Sequence, residues 1–166
     1  MNPRPFRKPA MKRLALLLLL LPLPVQADTI NGESLNEILQ LVRQFGDGEL
    51  RRDATDTPLI AAAVDGPEWI QYRIEFYGCN FGPPGCDDIR LIATWTGVEA
   101  SETIMNRWNR ATRFGRANID LFGDVNLDFT VNLAHGIEKH NFGSTLNWWK
   151  SELENFRQFL LENTQG

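Results

Sequence analysis

The side chains able to do chemistry fall into four groups. Cys79 and Cys86 are the only cysteines, and they bracket the Gly/Pro-rich run Asn80-Phe-Gly-Pro-Pro-Gly85. His135 and His140, the only histidines, flank Gly136-Ile-Glu-Lys139 in a predicted loop before the last helix, with Glu138 between them. Carboxylates gather at Asp87-Asp88 and at Asp120, Asp124 and Asp128. Trp108, Asn109, Arg113 and Arg116 crowd a helix-to-strand corner within SETIMNRWNRATRFGRA, residues 101–117.

Each group has a chemical and a structural reading. Two cysteines at the ends of a hairpin form a disulfide in an oxidising compartment. A redox pair would favour C-x-x-C at a helix N-terminus, and a metal site would need further ligands at suitable spacing. The histidines with Glu138 offer a weak metal pair, but their spacing suits no helix face, so loop histidines without a role are the favoured reading. Asp120 and Asp128 face outward together as a cation-binding pair, or they are solvated hairpin edges. At the corner, Asn109 can bond turn backbone and the two arginines can pair with Asp120 or an acidic rim; alternatively, a polar groove beside Trp108 docks a peptide. No cofactor or metal is expected. The chain has no G-x-S-x-G and no phosphate-binding glycine loop, and pairing of the cysteines leaves no thiol nucleophile.

The elements that must position these groups begin after residue 27. Arg4, Arg7, Lys8, Lys12 and Arg13 precede the apolar run Leu14–Leu21, Pro22 and Pro24 break it, and Val25-Gln26-Ala27 supplies small residues for cleavage. This predicts a signal peptide over 1–27 and a periplasmic or secreted domain over 28–166. Translation can begin at Met1 or Met11. No Cys follows the cut and no twin Arg precedes the leucines, so general secretion of a non-lipidated protein fits. The apolar run falls short of the roughly 20 residues a membrane span needs, and no second stretch approaches that length. Without the leader the chain has 12 basic and 21 acidic side chains, a net charge of −9. Such a surface disfavours nucleic acid and anionic membranes as partners.

Hydrophobic periodicity predicts the order α-β-β-β-β-α-β-β-α. Ser34 is expected to cap a first helix carrying Leu35, Ile38, Leu39, Leu41, Val42 and Phe45, ended by Gly46. Asp47-Gly48 reads as a turn before a polar strand over 49–54, and Asp56-Thr-Pro58 as a second turn before a strand over 59–64. Strands 69–77 and 88–95 flank the cystine loop. Ser101 caps the helix through Thr112. Strands 116–121 and 125–133 form a second hairpin, the latter alternating Val125, Leu127, Phe129, Val131 and Leu133 with polar residues. A last helix opens at Asn141 or Ser144 and runs to about Leu161. This is one α+β domain, an antiparallel twisted sheet with helices packed on it.

Met105-Asn-Arg-Trp-Asn109, Arg113-Phe-Gly-Arg-Ala117, the strand 125–133 and Gly136 together resemble the YbjN family, bacterial proteins described as sensory transduction regulators. Tyr77-Gly-Cys79 with Cys86 resembles its exported branch, and Phe156 with Phe159 fits the family's last helix. The resemblance spans nearly all of 34–161. It implies a fold similar to type III secretion chaperones, often paired as dimers, with no agreed catalytic residues. The signal peptide and cysteine pair depart from cytosolic members. The expectation is therefore an exported, non-enzymatic interaction, chaperone-like or regulatory module of the cell envelope, with a protein or peptide partner or a second copy of itself. The competing expectation is a small-ligand binder or enzyme using Asp120, Asp128 and the histidines.

Overall fold

The computed structural model of the chain describes residues 28–66, 68–79 and 85–164. The leader expected over 1–27 and most of the loop inside the cysteine pair lie outside them. In chain order the elements are β1 (Thr29–Ile30), α1 (Leu35–Val42), β2 (Gly46–Arg52), β3 (Pro58–Val64), β4 (Ile70–Tyr77), β5 (Asp88–Trp95), α2 (Glu102–Ala111), β6 (Arg116–Ile119), β7 (Val125–Asn132), β8 (Ile137–Glu138) and α3 (Lys139–Asn163). Among the described residues the fold is α+β: a six-stranded antiparallel sheet ordered β2-β3-β4-β5-β7-β6, with three helices and a separate β1-β8 pair.

Strand alternation sorts the sheet into two faces. Ile60, Ala62, Val64, Ile70, Tyr72, Ile74, Phe76, Ile89, Leu91, Ala93, Val125, Leu127 and Val131 are buried on one of them. There α3 brings Trp149 edge-on to Tyr72 and Phe156 edge-on to Trp95, with ring centroids 6.0 and 5.1 Å apart. From the α2 side, Trp108 meets Phe156 and Phe159 at 4.8 and 5.3 Å. Burying aromatic side chains of this size supplies much of what holds helices to sheet, on the order of 1.5–3 kcal/mol per large apolar side chain.

The other face is polar and knitted by ion pairs. Register aligns Glu49, Ala61, Arg73, Ile92, Asp128 and Arg116 in one row and Arg51, Leu59, Glu75, Arg90 and Thr130 in the next. Arg73 Nε lies 2.6 Å from Glu75, whose other oxygen accepts the Tyr77 hydroxyl at 2.6 Å, and Arg90 Nε lies 3.1 Å from Asp128.

Both outer strands have backbone capped by side chains. On β2, Arg43 Nε donates to the Gly48 carbonyl at 3.0 Å and the Gly48 N–H donates to Asp47 at 2.8 Å. On β6, Asn109 does the same work at Ala117. An exposed ladder is a template for unwanted pairing, and these contacts blunt it.

Several expected boundaries move. Asp47-Gly48 lies within β2 rather than in a turn, and α1 ends at Val42, before Gly46. Ser34 occupies the N-cap position but makes no capping bond; its hydroxyl accepts the Asn31 N–H at 3.1 Å instead. The last helix starts at Lys139, capped by Glu138, ahead of Asn141 and Ser144. Strands β5 and β7 and helix α2 fall where the periodicity puts them to within a residue or two.

Candidate functional site

The corner begins with Ser101, whose hydroxyl accepts the Ile104 N–H at 3.4 Å and starts α2. Met105 and Trp108 point into the core. At the far end Thr112 directs both its N–H and its hydroxyl onto the Trp108 carbonyl, at 3.0 and 3.1 Å, and the helix stops. Gly115 then takes φ +63°, a conformation that resists a side chain, and a Cβ there would also crowd Leu127 at 3.1 Å. The chain emerges as β6.

Asn109 closes this corner. Its amide donates to the Ala117 carbonyl at 2.9 Å and accepts the Ala117 N–H at 2.8 Å. The side chain thus stands in for a neighbouring strand along the outer edge of β6. Arg116 donates to the Asn109 carbonyl at 3.4 Å. Arg113 lies over the Phe114 ring, 5.7 Å from its centroid. Phe114 in turn stacks on Trp148 at 4.7 Å and meets Phe129 edge-on at 6.2 Å. Among the described residues neither Arg113 nor Arg116 reaches Asp120 or another carboxylate in an ion pair.

The carboxylates are committed elsewhere. Asp128 takes Arg90 on one oxygen and the Asn118 amide on the other at 3.0 Å. The Asp128 bond also holds the Arg90 guanidinium above its ordinary pKa. Asp120 accepts the N–H groups of Phe122 and Asp124 at 2.9 and 3.0 Å and the Asn126 amide at 3.3 Å. Desolvation would push the Asp120 carboxyl up, but these bonds outweigh it and hold it below the ordinary range. Asp120 and Asp128 therefore have separate partners. Glu138 spends its carboxylate on the His140 and Asn141 N–H groups at 3.2 and 3.0 Å, and His140 belongs to the first turn of α3 rather than to a loop with His135. Among the described residues no three of His, Cys, Asp and Glu gather closely enough to hold a metal ion.

Cys79 and Cys86 are disulfide-bonded. The bond ties the end of β4 to the start of β5 beneath the N-terminal segment. A Cβ at Gly32 would overlap the backbone of Cys86, so that segment lies flat against the cystine. Asp87 continues the lock, donating its N–H to the Tyr77 carbonyl at 2.9 Å and accepting the Leu133 N–H at 2.8 Å.

Three surface features carry no warning in periodicity. The β6–β7 tip presents Leu121 and Phe122 at 102% and 91% exposure. A cleft of about 770 Å³ separates the end of α1 from the start of α3, with Leu41, Phe45, Gly143, Asn147 and Trp148 among its walls. Glu152 beside Trp149 has a buried Oε2 without a hydrogen-bond partner, and burial raises its pKa.

Residues 87–162, from β5 into the last turns of α3, match the model of the YbjN family, described as "Putative bacterial sensory transduction regulator". Over this segment the chain is similar to the YbjN family. No curated protein and no solved structure matches the chain. The YbjN segment contains α2, the Asn109 corner, the second hairpin and almost all of α3, whereas α1 and β1 to β4 stand before it. The match is thus narrower than the resemblance over 34–161. Among the described residues no helix is long and apolar enough to cross a membrane.

Proposed function

We propose that this chain is an exported, non-catalytic interaction module of the cell envelope. Its YbjN domain engages a protein or peptide partner in a regulatory or chaperone-like role. The leader pattern of residues 1–27 and the disulfide support an oxidising compartment outside the cytoplasm. The family description supports regulation, and the structural commitments of Asp120, Asp128, Glu138 and Asn109 leave these groups without a free catalytic constellation.

The observation that carries the reading is the Leu121–Phe122 tip. Two large apolar side chains stand almost wholly in water on a turn that Asp120 holds through two N–H bonds, with a further bond from the Asp120 N–H to the Asp124 carbonyl at 3.0 Å. A held projection loses little conformational entropy on docking, and each apolar side chain buried contributes roughly 1.5–3 kcal/mol. Replacing Phe122 with a photo-crosslinking phenylalanine analogue in the periplasm tests this. The expected result is a discrete adduct that Leu121→Ser removes. An adduct of twice the chain's mass identifies the partner as a second copy, and no adduct at all refutes a tip-mediated interaction.

A further inference from the structure

We infer that the outer face of α2 and the turn into β6 form a second docking surface, one that takes an acidic segment of a partner protein. This inference rests on the interaction reading and names the chemistry of one contact.

The described chain carries 12 lysines and arginines against 21 acidic residues. Seven of the cations sit in ion pairs: Arg51, Arg52, Arg73, Arg90, Lys139, Lys150 and Arg157. Arg43 is bound to the Gly48 carbonyl. The remaining four, Arg107, Arg110, Arg113 and Arg116, all fall in one ten-residue stretch and all are exposed. Their other contacts are neutral. Arg107 bonds the Asn163 side chain at 2.6 Å, Arg113 rests over Phe114, and Arg116 reaches the Asn109 carbonyl. An acidic protein that neutralises seven cations and leaves four together has concentrated its positive charge on one site.

Fold stability accounts for part of this only. A cation in the last turn of a helix is favoured by the helix dipole, which suits Arg110. It does not suit Arg107, a turn earlier, or Arg116, on the strand. Arg107 and Arg110 are three residues apart on one helix face, so their Cβ atoms are roughly 5–6 Å apart. They flank a depression of about 540 Å³ shared with Thr103, Asn106 and Ala111. Guanidinium groups at that spacing match successive carboxylates of a peptide and bind them with paired N–H bonds.

A second copy of the chain is a poor occupant. A two-fold interface centred here sets arginine against arginine, and two bodies of charge −9 repel. Nucleic acid carries a phosphate at every step and meets the −9 surface along its whole length, whereas a short acidic segment need approach only the arginine face.

The test uses the disulfide-intact chain from residue 28 and fluorescence anisotropy. The probes are a labelled peptide of about twelve alternating glutamates and leucines, its glutamine counterpart, and an oligothymidylate of similar length. The expected result is binding of the glutamate peptide alone, weakened at least about tenfold by Arg107→Glu with Arg110→Glu and by raised salt. Arg107→Gln with Arg110→Gln, checked for unchanged melting, guards against misfolding. Equal binding of the glutamine peptide, preferential binding of oligothymidylate, or no binding of any probe overturns the inference. Crosslinking at Phe122 reads the interaction role separately, so failure here leaves that result standing.

Discussion

Substituting Asn109 by Ala tests the corner directly. The change removes two hydrogen bonds to Ala117, of 2.9 and 2.8 Å, without touching the core contacts of Trp108. Each such bond is worth about 1 kcal/mol net. Ala117 is 4% exposed, so water reaches its orphaned N–H and carbonyl poorly and the loss grows. The expected destabilisation is about 2–4 kcal/mol, or a fall in Tm of roughly 6–12 °C for a domain of this size. Asn109→Asp keeps an acceptor for the N–H but turns an oxygen toward the carbonyl, and is expected to be no better than Ala. Thermal melting by circular dichroism gives the stability, and amide exchange at Ala117 gives the location. Uncapping the edge of β6 also predicts concentration-dependent association in light scattering. A stability change below about 0.5 kcal/mol, or unchanged exchange at Ala117, would refute the strand-mimic argument.

Glu152 supplies a pH prediction. Burial raises its pKa, so the fold favours the protonated acid. That contribution is complete below the ordinary glutamate range and is lost as pH rises through the raised value. Glu152→Gln should therefore raise Tm at neutral pH and leave it nearly unchanged in acid; a gain independent of pH would sink the assignment. Replacing Cys79 and Cys86 together by Ser opens a loop spanning seven positions and should cost about 2.5 kcal/mol in denaturant titration; an unchanged midpoint contradicts it. Gly32→Ala drives a methyl into the Cys86 backbone and should destabilise by at least about 1–3 kcal/mol, with near-wild-type melting as the refuting outcome.

Much of the fold is legible in the amino-acid pattern because its main strands alternate cleanly. β7 declares itself through Val125, Leu127 and Val131, and β5 through Ile89, Leu91 and Ala93. Gly48 misleads because its missing side chain resembles turn chemistry. In the fold it lets Leu39 and Val42 of α1 sit on the sheet, 3.2 and 3.1 Å from where a Cβ would stand. Glu138 is outside the usual set of capping residues, so the start of α3 reads several positions late. β1 and β8 have two residues each, too few for any periodicity. At the corner, an Asn near a helix end signals a backbone bond but cannot specify a strand edge as the recipient. The arginine series 107, 110, 113 and 116 is visible as a spacing. Only the ion-pair inventory of the other cations sets it apart.

The pairing of β1 with β8 bears on how the chain matures. Thr29 faces Glu138 and Ile30 faces Ile137, while the Lys139 N–H is held by the Asp28 carbonyl at 2.8 Å. Ile30 is fully buried in this seam. Thr29 and Ile30 therefore lack their partner during synthesis until more than a hundred further residues have followed. Such distant contacts close late, because a long loop must be ordered before they repay its entropy. The beginning of the domain is its final piece, and until α3 is released it waits as an unpaired apolar end in need of shielding.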